Sequence, residues 1–598
     1  MRLKYLAVYI SLLCVGLLFG AACGGGAESK PTVAQPTSTV SANPISAAPT
    51  SAPAPVTAPT AAPAQSLTGT LLEKALDPPP YELDNVRYGG TLRSAVSNSN
   101  TGLDPKVIAQ YSDISIAVEE PVQVVANEKD TFSHFEPGLA ESWTVSPDLK
   151  TYTFKLRQGV KFHNIPPVNG RELVSDDVVF SLKRFAEKDS LFNAQYSQID
   201  SVEAPDRYTV VVKLKEPNAW LFNDLWGTQQ YIHAAEVVKQ GNGDMGLNII
   251  GTGPYMLQKH TPRQGSIYVR NPNYWGKDKK GNQLPYTDTL TYTFVLDPAT
   301  ITAAFRTGQL DVRVSVSNVG SYRNLEAIAK SVPGMRVLNG GLPTSQGLSF
   351  NTKRAPWTDV RLRRAINMLI DKPKYASTAL ENPIYHWSSP IPWSTVSETP
   401  FTPAELGPYA QYNPAEAKKL LIEAGFPDGK MKVGSPLDVI GSPSQVSRSQ
   451  VLQDLLKQNG VEMAIQPLDP TTYYSKWYLH NYADIGYTYI NTGDWSLNWF
   501  AQNKYLTGAT QNTSLIDDPE VQRVVKEIKT TTDPAKLRQL ARFLWDFDTL
   551  GSWNVFLPAD YAYQVTSGRV RNFTLRTGAT FSDVRVMVWL TDAPRTAP

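Results

Sequence analysis

The stretch LAESWTVSPDLKTYTFKLRQGVKFHNIPPVNGRELVSDDVVFSLKRF, from Leu139 to Phe185, predicts its own local structure with little ambiguity. Apolar and polar residues alternate from Tyr152 to Leu156, which is the period of a half-buried strand. A Pro-Asp turn at 147–150 separates this strand from a shorter one before it. From Ser175 onward apolar residues recur at helical spacing, with Ser175 in position to cap the helix and two aspartates in its first turn. The stretch therefore predicts two strands joined by a turn and then a helix.

The rest of the chain alternates between strands and helices in the same way. The sequence from Tyr208 to Leu214, YTVVVKL, has the composition of a strand. Asp297-Pro298, Asp359 and Asn413-Pro414 each mark the start of a helix. A folded part of about 500 residues is too long for a single core. We therefore expect an α/β protein with more than one lobe.

The first 23 residues have the features of an export signal. Arg2 and Lys4 precede an almost wholly apolar run, Leu6 to Phe19, and a small-residue cleavage site that ends in Cys23. This site resembles a bacterial lipoprotein box, which implies that Cys23 receives lipid and anchors the protein to a membrane. The alternative is an ordinary secretory signal cut near Ala22.

Residues 24–72 have the composition of a tether. No charged residue occurs from Pro31 to Leu72, and proline, alanine, serine and threonine dominate. Such a segment cannot bury apolar surface, so we expect it to remain extended and mobile. The two cysteines, Cys14 and Cys23, both precede it. The mature body therefore has no disulfide, no thiolate metal site and no cysteine nucleophile.

Composition and motifs favour a binding protein over an enzyme. The 57 Lys+Arg and 55 Asp+Glu nearly balance, which argues against a nucleic-acid partner. The six histidines are scattered, so we expect no metal site and no cofactor. No nucleophile, zinc or phosphate-loop motif is present. The 13 Trp and 28 Tyr indicate either a cleft that grips its ligand with aromatic side chains or simply a large core.

Several short motifs stand in the order typical of one family. They are GGTL (Gly89–Leu92), LDP (Leu103–Pro105), the opening stretch up to His163, GTGPY (Gly251–Tyr255), RNPNYWGK (Arg270–Lys277) and RTGQLD (Arg306–Asp311). With them, the chain resembles the extracytoplasmic solute-binding proteins of family 5, which serve ABC importers of oligopeptides, dipeptides, nickel chelates and some other solutes. The resemblance covers nearly all of the chain from Val86 to Thr591.

The resemblance implies a two-lobed periplasmic-binding-protein fold of the α/β class with an extra domain inserted near the N-terminus. The expected boundaries are 86–117, 249–345 and 564–598 for lobe I, 118–248 for the inserted domain, and 346–563 for lobe II. The ligand would lie buried between the two lobes, which close by a hinge motion.

In peptide-binding members of the family, an aspartate of the second lobe pairs with the α-amino group of the ligand. The matching segment here is Tyr489–Trp495, so the resemblance implies an amine-binding role for Asp494, with Asn491 and Trp495 beside it. A carboxylate that faces an ammonium group forms charge-assisted hydrogen bonds. The alternative is that Asp494 merely caps a loop.

The loop that follows the first strand matches the loop that lines the cleft in this family. Asn98, Ser99 and Asn100 are therefore expected to offer hydrogen bonds to an extended ligand, in the manner of an added strand.

The expected function is that of a receptor in an ABC import system. It would capture a peptide without reacting with it and deliver it to the permease subunits. The resemblance and the signal imply a monomer outside the cytoplasm, held to the membrane by lipid. An oligosaccharide or a metal chelate is the alternative ligand, and a secreted hydrolase or an assembly protein is the alternative of another class.

Overall fold

The structure, a computed structural model, describes most of the folded body but not the N-terminal region. The described residues are 82–96, 102–107, 114–125, 134–226, 231–295, 297–313, 332, 334–339, 345–380, 385–391, 403–491, 496–560, 563–573 and 587–593. The predicted export signal, Cys23 and the predicted tether lie outside them.

The strands of the described residues belong to several sheets. Up to residue 313 they are β1 (Thr91–Val96), β2 (Val122–Val125), β3 (His134–Pro137), β4 (Ala140–Val145), β5 (Thr151–Leu156), β6 (Ile199–Asp206), β7 (Thr209–Leu214), β8 (Tyr255–Thr261), β9 (Gly265–Arg270), β10 (Thr289–Phe294) and β11 (Val312–Arg313). After residue 313 they are β12 (Arg336–Asn339), β13 (Ser345–Phe350), β14 (Tyr385–His386), β15 (Met431–Lys432), β16 (Leu437–Ile440), β17 (Val461–Glu462), β18 (Ile465–Leu468), β19 (Ile485–Asn491), β20 (Asn554–Phe556), β21 (Ala559–Asp560), β22 (Tyr563–Thr566), β23 (Val570–Arg571) and β24 (Trp589–Leu590).

The helices of the described residues lie between these strands. The α-helices are α1 (Ser175–Phe185), α2 (Asn193–Tyr196), α3 (Leu221–Trp226), α4 (Ala235–Gln240), α5 (Pro298–Arg306), α6 (Val360–Leu369), α7 (Lys372–Tyr375), α8 (Pro414–Glu423), α9 (Pro443–Gln458), α10 (Pro470–Tyr478), α11 (Leu497–Phe500), α12 (Pro519–Thr530) and α13 (Pro534–Gly551). The π-helical segments are Ala376–Leu380 and Ala501–Tyr505, and the 3-10 segments are Pro403–Leu406 and Pro408–Ala410. None of the helices in the described part is long and apolar enough to cross a bilayer.

Three sheets organise the body. The first has seven strands in the order β12-β22-β11-β1-β10-β9-β8, and the second has five in the order β18-β16-β19-β13-β20. The third has four strands in the order β4-β5-β7-β6 and contains the opening stretch. Both larger sheets mix parallel and antiparallel pairs, which confirms the α/β class.

The opening stretch folds largely as its pattern predicts. Tyr152, Phe154 and Leu156 are each at most 2% exposed, while the residues between them are less buried. The cap of α1 is the exception, because Ser175 is the first helical residue and not the cap. Its hydroxyl donates to Asp206 O, and the Asp177 carboxylate instead accepts from the backbone N–H of Val174. The Asp177 carboxylate, three residues after Val174, reaches back to the free N–H of Val174, so the predicted cap was wrong.

The other predicted helix starts are confirmed. The Asp297 carboxylate accepts from Ala299 N and Thr300 N, and the Asp359 carboxylate accepts from Arg361 N. At the start of α8, the Asn413 side chain accepts from Glu416 N at 3.1 Å. Each cap satisfies backbone N–H groups that have no partner within the helix.

Long-range contacts explain why two of the short motifs contain the residues they do. Asp104, in the LDP motif, forms a buried ion pair with Arg184 of α1, with 2.6 Å between Oδ1 and Nη1. His163, also fully buried, bonds the GTGPY turn through Gly251 and Gly253. One apolar cluster then runs from the four-stranded sheet into the seven-stranded sheet. These contacts join the opening stretch firmly to the sheet that contains β1.

Candidate functional site

Two connections of the chain join the seven-stranded sheet to the five-stranded sheet. One leads from Asn339, at the end of β12, to Ser345, at the start of β13. The other leads from β20, by way of β21, to Tyr563 at the start of β22. Asn339 and Tyr563 are register partners, so both connections meet the seven-stranded sheet at the same place. In the five-stranded sheet, the end of β20 pairs beside the start of β13. We call these two facing ends of the sheets the hinge edge.

Strand directions bring other strand ends to the hinge edge. In the seven-stranded sheet, β11 runs antiparallel to β22 and β1 runs parallel to β11, so β1 ends there. In the five-stranded sheet, β19 runs antiparallel to β13 and β16 runs parallel to β19, so both end there too. The carboxyl ends of parallel strands are where open α/β sheets bind ligands. The hinge edge is therefore the candidate site.

The segments that carry the predicted site residues both leave from this edge. Asn491 is the last residue of β19 and pairs with Ser345. The next residues along the chain include Asp494 and Trp495, which lie outside the described residues. The other predicted segment, 98–100 (Asn98, Ser99 and Asn100), follows the end of β1 and also lies outside them. The roles of all six side chains remain predictions, but the strands that lead to them end at one place.

A polar cluster that the sequence did not suggest lies at the start of β13. Gln346 is only 6% exposed, and its side chain accepts a hydrogen bond from the Tyr487 hydroxyl at 2.8 Å. The hydroxyls of Tyr487 and Tyr375 lie 2.7 Å apart. Arg448 donates from Nη1 to the same Gln346 oxygen at 3.3 Å. A guanidinium group is thereby held at the hinge edge by a neutral amide.

The position of Arg448 follows from the helix on which it lies. The helix α9 begins directly after β16, and the hydroxyl of Ser442 accepts from Gln445 N to cap it. Its N-terminal half therefore lies at the carboxyl end of a parallel strand. A guanidinium can bind a carboxylate with two parallel hydrogen bonds. The signal in the sequence was the Gly-Ser-Pro that follows the strand sequence LDVI at Leu437–Ile440, because it fixes where this helix starts.

At the end of the seven-stranded sheet away from the hinge edge, arginines on β1 and after β22 hold neighbouring strands together. The carboxylate of Asp311, which is fully buried, accepts from Arg93 Nε at 2.8 Å and from Arg569 Nε at 2.7 Å. Burial alone would raise the pKa of Asp311, but the hydrogen bonds from Arg569 and Arg93 outweigh it and lower the pKa. The RTGQLD motif thus ends on a residue that ties β1, β11 and β22 together at the end opposite to the hinge edge.

The described residues offer little that could hold a metal. Among them, no group of three or more histidine, cysteine, aspartate or glutamate side chains lies close enough to bind a metal ion. The chemistry at the hinge edge is instead that of reversible recognition, with a guanidinium, an amide and tyrosine hydroxyls as hydrogen-bonding groups.

Two lobes with a hinge between them, and a polar edge where they face each other, define the class of solute-binding proteins. Comparison with known proteins gives the family. The model of the bacterial extracellular solute-binding proteins, family 5 (middle), matches residues 134–512. The chain belongs to this family, as its motifs predict. It is therefore an extracytoplasmic solute receptor of an ABC import system and not a member of an enzyme family.

Known relatives bind different solutes. Di/tripeptide-binding protein 1 of Pseudomonas aeruginosa is 26% identical over 483 residues, which cover 76% of this chain and 86% of the relative. The solved structure of the periplasmic binding protein DppA from Helicobacter pylori, in complex with the peptide STSA, has a TM-score of 0.68 at 21% identity. It covers 85% of this chain and 99% of that structure. The structure of AgaA with agropinic acid from A.tumefacien R10 has a TM-score of 0.65 at 24% identity and covers 84% and 99%. These likenesses confirm the expected two-lobed fold.

Proposed function

We propose that this receptor captures a short peptide between its two lobes, without reacting with it, and delivers it to the permease of its importer. The observation that carries the proposal is the meeting of strand ends at the hinge edge. There β19 leads toward Asp494, and β16 leads into the helix that holds Arg448. A carboxylate and a guanidinium on neighbouring strand ends suit the ammonium and carboxylate termini of one zwitterionic ligand. The relative named as a di/tripeptide-binding protein supports the same choice.

Binding of defined peptides tests the proposal. We expect trialanine or tetraalanine to release heat in isothermal titration calorimetry and to raise the melting temperature of the mature chain, since both bind only the folded state. Acetylation of the peptide's N-terminus should weaken binding because it removes the ammonium partner of Asp494. Amidation of the peptide's C-terminus should weaken it because it removes the carboxylate partner of Arg448. A charged hydrogen bond is worth about 1.5–3 kcal/mol, so each loss should be about tenfold to hundredfold.

Variants separate the two anchors. Asp494→Asn should lose the preference for a free N-terminus, and Arg448→Gln should lose the preference for a free C-terminus. Lys457→Gln is the matched control, because Lys457 is an exposed cation on the same helix as Arg448. If both site variants discriminate between free and blocked peptides as well as the control does, the two anchors are wrongly assigned.

A small acidic solute is the second candidate ligand. The structural neighbour AgaA was solved with agropinic acid, which is not a peptide, on the same fold. Arg448 would serve such a ligand through its acidic group, with no need for an amine partner. Agropinic acid in the same calorimetric assay distinguishes the two candidate ligands. If the ligand is a small acidic solute, agropinic acid should bind where the peptides do not, and Asp494→Asn should leave its affinity unchanged.

The domain boundaries and the attachment to the membrane complete the proposal. We propose lobe I as 86–117, 249–345 and 564–598, with 118–248 as the inserted domain and 346–563 as lobe II. The strands of the seven-stranded sheet fall within the lobe I ranges apart from Tyr563, which supports this division. We also propose a monomer that a lipid on Cys23 holds at the membrane, with 24–72 as its tether.

A further inference from the structure

The four-stranded sheet and the helices around it form a unit that we call the four-stranded sheet module. One segment of this module packs among helices of the proposed lobe II. It comprises residues 218–224, which run from the loop after β7 into helix α3, and we call it the 218–224 segment. Trp220 is its central residue and is only 6% exposed. It packs in an apolar cluster with helices α11, α12 and α13. Apart from Trp220 and its neighbour Ala219, the described members of this cluster all lie at residue 387 or beyond.

Two hydrogen bonds fix the 218–224 segment to the last turn of α12. The indole Nε1 of Trp220 donates to Ile528 O at 2.8 Å, and Ala219 N donates to Lys529 O at 2.9 Å. Carbonyl groups in the last turn of a helix lack the usual partner four residues further on. The segment supplies donors to that turn, so the contact is specific in position as well as apolar.

A third contact connects the segment to the helix that follows the predicted ligand-binding residues. Burial raises the pKa of Asp224, and a hydrogen bond with Asn498 and the charge of Lys529 act in the opposite direction. Asn218 also donates to the Asp224 carboxylate at 2.7 Å. Asn498 is 2% exposed and lies on α11, four residues after Asp494. The segment thus touches the element that directly continues the predicted amine-binding segment.

The rest of the four-stranded sheet module packs against the seven-stranded sheet of the proposed lobe I. Its core residues Phe154 and Val210 belong to the same apolar cluster as Leu92 of β1 and Tyr255 of β8. The module is therefore packed into one core with the seven-stranded sheet, while α11 to α13 belong to the part of the chain that contains the five-stranded sheet. If the two lobes open at the hinge edge, Trp220 has to leave the α11–α13 cluster.

We propose that the 218–224 segment is a latch, outside the ligand site, that holds the two lobes closed and releases when they open. Trp220 is its anchor, and Asp224 with Asn498 couples it to the segment that contains Asp494. A ligand that contacts the end of β19 or the start of α11 would act on the latch from the other side. Strength of closure is then set in part by residues that never touch the ligand.

The first test measures opening without any ligand, so it does not depend on the ligand being a peptide. The mature chain beyond Cys23 has no cysteine, so Glu141→Cys and Lys457→Cys provide two exposed spin-label sites, one on each side of the latch. In this labelled chain we expect mostly short distances between the two labels, which correspond to the closed state. Trp220→Ala should increase the population with longer distances several-fold. Trp220→Phe, which keeps a ring but loses the N–H, should have an intermediate effect.

The control is Val145→Ala, which shortens an exposed side chain on β4 of the same module and should leave the distances unchanged. Equal distance distributions for the unaltered chain and the Trp220→Ala chain overturn the latch. A chain that is fully open before any substitution overturns it as well.

A disulfide across the contact gives an independent test that does not rely on removing a buried side chain. Ala219→Cys and Lys529→Cys place thiols on residues whose backbone atoms are 2.9 Å apart, and a disulfide needs Cα atoms about 4.4–6.8 Å apart. We expect the bond to form on mild oxidation and X-ray scattering to show a closed particle that dithiothreitol allows to open. Failure of the bond to form contradicts the proposal, and so does scattering that is the same in the oxidised and reduced states.

Discussion

Mild acid should destabilise the folded chain, because the contact between the opening stretch and the GTGPY turn depends on a neutral histidine. His163 Nε2 donates to Gly253 O at 3.0 Å, and its Nδ1 accepts from Gly251 N at 3.4 Å. A proton on Nδ1 would replace that acceptor with a second donor that faces an N–H group. Burial lowers the pKa of His163 to about 4, so the folded protein resists this protonation.

The size and sign of the effect follow from the two pKa values. An unfolded chain protonates histidine with a pKa of about 6.5, so below that pH the unfolded state binds more protons than the folded state. The contribution of His163 to stability is therefore intact above about pH 6.5 and is lost progressively as the pH falls toward 4. The total is about 3.4 kcal/mol, of which about 2 kcal/mol is lost between pH 7.5 and pH 5.

Urea unfolding of the chain and of His163→Asn at pH 7.5, 6 and 5 measures this loss. Asparagine can still accept from Gly251 N but does not titrate, so the variant should be less stable at pH 7.5 yet lose about 2 kcal/mol less on acidification. Gln258→Asn, at an exposed glutamine of β8, is the control and should keep the pH dependence of the unaltered chain, because it removes no ionisable group. The reasoning is refuted if His163→Asn loses as much stability between pH 7.5 and pH 5 as the unaltered chain does.

Three further predictions concern other charged or reactive residues. Asp311→Asn should destabilise the folded state by about 3–5 kcal/mol in thermal or urea unfolding, because it leaves two arginines without their shared carboxylate, whereas the exposed partner Asp592→Asn should cost less than about 1 kcal/mol. Asp104→Asn should cost a similar 3–5 kcal/mol, since it leaves Arg184 buried without its carboxylate, and a cost below about 1 kcal/mol would contradict the buried pair. Cys23→Ser should abolish incorporation of labelled fatty acid and release the protein from the membrane fraction, and retention of both would contradict lipidation.

Local patterns were sufficient for much of the fold. Alternation in β5, the Asp-Pro start of α5 and the Asn-Pro start of α8 each act over a few residues, and the structure confirms them. The wrong assignment at Ser175 also has a local cause. Asp177 stands two residues later, and its carboxylate accepts from the N–H of Val174, so that the helix begins at Ser175 itself. Composition alone does not decide between the two helix starts.

Contacts between distant parts of the chain could not be predicted in this way. Arg184 and Asp104 are 80 residues apart, and an arginine on a helix is far more often solvated than buried against a carboxylate. Arg448 was missed for the same reason, since its role depends on where β16 ends relative to β19. Trp220 carries no local signal at all, because its partners lie on helices about 300 residues further along the chain.

Calorimetric titration of the mature chain with trialanine and with N-acetyl-trialanine tests the central claim most directly. A receptor that holds the amino terminus of a peptide at the hinge edge should bind the free tripeptide and bind the acetylated form at least about tenfold more weakly. Equal affinity for the two forms would contradict the amine anchor. Absence of heat with either peptide, together with binding of agropinic acid, would contradict the peptide as the ligand.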